Sequence, residues 1–120
     1  MKAVASLLVF LVALEHLWFM VLEMFLWSTP IGRKTFHLTE NFAIETSALA
    51  KNQGLYNGFL AAGLIWGLLA PEVVAFQAQI FFLSCVIVAG LFGAATVMQR
   101  IFFVQALPAL LGLGAVLIAY

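Results

Sequence analysis

Apolar residues run along this chain in blocks of membrane-spanning length, without the strict alternation or one-sided stripe that a soluble fold requires. The first block covers residues 3–27 and is interrupted only by Ser6, Glu15, His16 and Glu23. At 1.5 Å per residue it reaches about 37 Å, enough to cross a bilayer with some tilt. Ser28, Thr29, Pro30 and Gly32 then mark a break, and Arg33 and Lys34 place the segment in water or among headgroups. Residues 35–51 mix Phe36, Leu38, Phe42, Ile44 and Leu49 with Glu40, Asn41, Glu45 and Lys51. Thr39 is positioned to cap a short interfacial or partner-packed helix there. Three further blocks follow at 52–69, 74–98 and 101–120, separated by Pro71 and Glu72 and then by Gln99 and Arg100. The pattern predicts an all-α, polytopic membrane protein. Its expected form is a single transmembrane domain over 1–120, a four-transmembrane-helix bundle with a short interfacial helix between spans 1 and 2. The last block ends the sequence, so no tail is expected to carry function. Lys2 ahead of an apolar stretch also suits a cleaved signal peptide, but no A-x-A site follows and apolar character resumes after His16, so a retained span is expected.

Composition narrows the function classes. Of 120 residues, 66% are hydrophobic and 8% charged, far from the roughly one quarter charged of a soluble domain. Five basic and five acidic side chains give no net charge and no basic footprint, which excludes nucleic-acid binding as a main function. The single Cys85 excludes an intramolecular disulfide or a multi-cysteine zinc site and leaves the redox compartment unread. Arg33, Lys34, Lys51 and Arg100 fall in the first and third connections, against Lys2 alone on the other side, so both termini are expected outside. Trp27 and Tyr56 near the basic side, with Trp66 and Tyr120 near the other, suit interfacial belts.

Chemistry is sought among the polar residues inside apolar spans, where ionisable groups are costly and usually serve function. Glu15 and His16 lie near the centre of the first span. Successive positions diverge by about 100°, so one is expected to point to a cavity and the other to a neighbour. His16 and Glu23 lie about two turns apart on nearly one face, which should look into the bundle. Near the inner end of that span, Glu23 is joined by Asn52, Gln53 and Asn57 from the second span, Thr96 and Gln99 from the third and Gln105 from the fourth. Gln53 and Asn57 share a face by their four-residue spacing. This layer is read either as helix-to-helix hydrogen bonding or as a site for a small ligand or protons. Pro108 lacks an N–H and should free the carbonyl of Val104, with a packing kink as the expected result. Gly54, Gly58, Gly63 and Gly67 permit close helix approach, within one chain or between copies. His16 and His37 are separated by a predicted loop, so paired haem ligation is not expected. No metal site is expected within one chain, a His16 and Glu23 metal site across subunits stays open without a recognisable ligand spacing, no cofactor is identified, and no serine or Cys85 sits in a nucleophile motif.

The stretch NQGLYNG at 52–58, with Glu15 and His16 upstream and Gln105, Pro108 and Ala109 downstream, resembles a family of small bacterial integral membrane proteins catalogued only as a domain of unknown function. The resemblance covers nearly the whole chain and implies a four-span protein of the bacterial inner membrane, with no catalytic residues to carry over. In architecture the chain also resembles small multidrug resistance transporters, whose first-span carboxylate Glu15 would match. It resembles as well the membrane-associated glutathione and eicosanoid enzymes, whose polar residues Asn41, Glu45 and Arg100 would loosely match. The leading expectation is a homo-oligomer in the lipid bilayer whose polar layer serves transport or sensing. Glu15, His16 and Glu23 would titrate there, while Gln53, Asn57, Gln99 and Gln105 orient a small or lipophilic ligand. The alternatives are a membrane-embedded enzyme acting on a lipophilic substrate and a structural or assembly subunit.

Overall fold

The computed structural model describes every residue, Met1–Tyr120, and consists of helices without a strand. They are α1 (Lys2–Met24), α2 (Pro30–Phe36), α3 (Glu40–Glu45), α4 (Ser47–Leu69), α5 (Glu72–Thr96), a π-helical turn (Phe102–Ala106) and α6 (Leu107–Ala119). The chain divides into two compact units, one of residues 1–14 and 60–120, the other of residues 15–59.

The first unit encloses an apolar core of Val9, Val12, Leu64, Leu83, Val86 and Val116, with alanines at 5, 13, 109 and 115 between them. Small residues here let helix backbones approach, as bilayer helices require in the absence of a hydrophobic force between them. Gly63 lies under the Phe82 ring, and a Cβ on Gly90 would stand 2.7 Å from the backbone nitrogen of Ala106. The outer faces are as apolar as the core. Leu7 and Phe10 on α1, Phe81 and Phe92 on α5 and Leu111 and Ile118 on α6 are all exposed, a surface that water does not suit.

Three segments are long and apolar enough to cross a membrane: α1, α5 and Phe102–Ala119. At 23 residues α4 equals α1 in length. Its first half, however, carries Lys51, Asn52, Gln53 and Asn57, which dilute its apolar character.

Helix ends differ from those expected. α1 stops at Met24 instead of Trp27, where the chain turns and the Leu26 N–H bonds back to Val21 and Leu22. Pro30 starts a helix as well as closing the way to the previous one, because its missing N–H costs nothing in a first turn and the Thr29 hydroxyl receives the Gly32 N–H. The expected short interfacial helix is α3, whereas α2 forms over residues 30–36, where a break was expected. Thr39 caps α3 as its position suggests, receiving the Phe42 N–H at 3.2 Å, but His37 ends α2 in the left-handed conformation at φ 57°. α4 begins at Ser47, five residues before the expected Asn52, and α5 covers 72–96 instead of 74–98. Near Pro108 the chain makes the π-helical turn, in which the Leu107 N–H reaches back to the carbonyl of Phe102.

The second unit contains the end of α1, α2, α3 and the start of α4. The Trp27 indole donates to the Thr46 hydroxyl at 3.0 Å and its ring lies 4.9 Å from that of Phe36. This ties the connecting segment to the foot of α4.

Candidate functional site

The site begins with a carboxyl group on the last turn of α1. Glu23 is 2% exposed, and both of its oxygens accept hydrogen bonds from side-chain amides of α4. Gln53 Nε2 donates to Oε2 at 2.5 Å, and Asn57 Nδ2 donates to Oε1. The four-residue spacing of Gln53 and Asn57 stacks them on one helix face, so they take one oxygen each. Gly54, between them in sequence, makes the approach possible: a Cβ there would stand 3.0 Å from Glu23 Cβ and 3.1 Å from the Met20 carbonyl. Gly58 does the same one turn on, against Met20 Sδ. These glycines therefore pack within the chain.

Other expected site residues have different surroundings. His16 is fully buried, like Glu23 on the same face, and meets Phe19 edge-on at 5.4 Å between ring centres. Glu15 is half-buried, with Oε1 closed off and bonded to nothing. Asn52 is exposed, one residue off the face that carries Gln53 and Asn57. Gln99 is exposed beyond the end of α5, and Gln105 is half-buried in the π-helical turn; both belong to the unit of residues 1–14 and 60–120. The Thr96 hydroxyl donates to its own helix, at the Phe92 carbonyl.

Two polar features fall outside the expected set. Gln79 is buried in the first unit, its amide donating to the Gly67 carbonyl at 2.9 Å while its own oxygen has no partner. A polar glutamine inside the third apolar block is the sequence signal for it. At one end of the same unit, Lys2 forms an exposed ion pair with Glu72 and lies 4.7 Å from the centre of the Tyr120 ring.

No three His, Cys, Asp or Glu side chains converge as a metal cluster. What the Glu23 arrangement offers is a carboxyl group between two amides. Each amide has both donor and acceptor atoms, so by turning its end it can serve an ionised or a protonated carboxyl.

No solved structure gives a significant match. Protein YpaA of Lactococcus lactis subsp. lactis (strain IL1403), described as uncharacterized, is 31% identical over 117 residues, covering 94% of this chain and 96% of the relative. The family described as Protein of unknown function (DUF1304) matches residues 10–117, and the chain belongs to that family.

Proposed function

We propose that the chain is a four-span protein of the bacterial cytoplasmic membrane, with both termini outside, in which Glu23, Gln53 and Asn57 exchange a proton or hold a small polar ligand for transport or sensing. α4 is the second span in this reading. The observation that carries it is Glu23: a carboxyl group shut from solvent in an apolar helix, with neutral amides on both oxygens. A buried ionisable group in a membrane helix is expensive and is kept where it does chemistry. Glu15 and His16 add further titratable groups along α1.

Infrared spectroscopy of the protein in lipid bilayers tests the reading. A protonated-carboxyl band that titrates with pH is expected in the parent, absent from Glu23→Gln and moved in frequency by Asn57→Ala. An identical titration in Glu23→Gln sinks it. The occupied state of both Glu23 oxygens also favours a second reading, a purely structural clamp between α1 and α4. That reading is supported if no carboxyl band titrates while Glu23→Ala lowers thermal stability.

A further inference from the structure

The three segments long and apolar enough to cross a membrane each bring one end to the same place. α1 starts at Lys2, α5 starts at Glu72, and the last segment stops at Ala119, next to Tyr120. All three ends belong to the unit of residues 1–14 and 60–120. In a bilayer, the ends of spanning helices stand at the level of the lipid headgroups.

An open recess of about 400 Å³ lies there, lined by Glu72, Val73, Phe76, Gln77 and Tyr120. Lys2 touches two of these residues, donating to Glu72 Oε1 with its ammonium 4.7 Å from the centre of the Tyr120 ring. The Phe76 ring lies 5.5 Å from that of Tyr120. Aromatic faces beside a carboxylate favour a cation, and Lys2 is itself a primary ammonium held in this way. The ion pair then sets the charge of a ligand. A lone cation is repelled by Lys2 and a lone anion by Glu72, whereas a molecule with both signs meets a partner for each. Polar capacity for such a molecule remains. The second Glu72 oxygen, the Gln77 amide and the Tyr120 hydroxyl make no hydrogen bond within the chain. The oxygen can accept from an ammonium, while the amide, the hydroxyl and the remaining Lys2 N–H groups can donate to anionic oxygens. The Lys2 and Glu72 side chains are 53% and 68% exposed, so a headgroup reaches both without displacing a helix. The outer groove of α5, along Phe81, Ser84, Cys85 and Val88, differs in kind: it contains no charged group, and its Ser84 hydroxyl is already bonded to the Ile80 carbonyl.

We propose that the recess binds a lipid headgroup carrying both a phosphate and a primary ammonium, with the ammonium at Glu72, Phe76 and Tyr120 and the phosphate at Lys2 and Gln77. The proposal rests on the reading of the chain as a membrane protein and is independent of any role for Glu23.

Native mass spectrometry of the whole chain, titrated with one lipid at a time, tests it. Phosphatidylethanolamine carries both groups, phosphatidylcholine replaces the ammonium N–H groups by methyls, and phosphatidylglycerol has no cation. The expected result is one phosphatidylethanolamine bound about fivefold more tightly than either of the others, the worth of one exposed ion pair. Glu72→Gln should abolish that preference and Glu72→Asp should retain it, while Lys2→Ala should weaken all three lipids alike. These substitutions fall on exposed side chains and should leave the fold intact. Equal affinity for the three lipids in the parent, or an unchanged preference in Glu72→Gln, overturns the proposal. Free phosphoethanolamine bound as tightly as the lipid overturns it as well, by making the ligand a soluble zwitterion. Flotation separates the two levels of failure. Protein that does not float with liposomes overturns the membrane reading itself, whereas protein that floats but binds the three lipids without preference overturns the headgroup site alone.

Discussion

Replacing Glu23 by alanine removes the buried acceptor shared by exposed Gln53 and half-buried Asn57 and leaves both amides without that partner. The expected cost is about 1–3 kcal/mol, read as a lower thermal midpoint in detergent, while Glu23→Gln keeps an acceptor and should cost less. Asn57→Ala loses one bond and should cost about 0.6 kcal/mol. His37 is the other residue whose local state sets an expectation. It holds φ 57°, a conformation unfavourable by about 1–2 kcal/mol for a residue with a Cβ, so His37→Gly should raise stability by up to about 1 kcal/mol in the same measurement. The clamp was legible in the sequence because helical spacing alone stacks Gln53 over Asn57 and places Glu23 near the end of its apolar block. Asn52 shows the limit: a shift of one residue turns a side chain by about 100°, and it lies exposed. The partner of Gln79 was not legible, since a backbone carbonyl such as that of Gly67 has no signature in side-chain chemistry.

Among the helices, glycines separate into those that permit contact and one that does not. At Gly90 a Cβ would meet backbone and Cβ atoms of Ala106 within 2.9 Å, atoms that no rotamer change can move away. Gly90→Ala should therefore destabilise by about 1–3 kcal/mol. At Gly114 nothing lies within 4 Å of the added atom, and Gly114→Ala should be neutral or stabilising by about 0.5–1 kcal/mol through helix propensity. Paired unfolding measurements of the two variants check the contrast. The long helices were legible from the lengths of their apolar blocks, because crossing a bilayer demands about 20 such residues. Their ends were not. Pro30 reads equally as a stop and as a start, and only the Thr29 cap decides that it begins α2. The end of α2 was hidden because His37 occupies the left-handed position where glycine would have announced it.

At the scale of the whole molecule, charge gives the clearest expectation. In the proposed four-span reading, Arg33, Lys34, Lys51 and Arg100 against Lys2 predict both termini outside, so a periplasmic reporter fused after Tyr120 should be active and a cytoplasmic one silent. The Lys2 and Glu72 ion pair should contribute little to stability, since both side chains are more than half exposed. Lys2→Ala is expected to cost under about 1 kcal/mol. Three helices long and apolar enough to cross a membrane were legible from the apolar blocks, whereas α4 is not among them, because the polar residues that build the Glu23 clamp lower the apolar signal of their own helix. The π-helical turn bears on chain length. A hydrogen bond that reaches back five residues encloses one residue more than an α-helical turn, so the final helix contains a position it can lose. Deleting one residue within 102–106 should leave α6 with its facing and depth intact, whereas deleting Val88 in α5 should rotate the remainder of that helix by about 100° and abolish folding. A single-residue deletion along this chain should therefore be tolerated at Phe102–Ala106 and rejected in the α-helical part of every long helix.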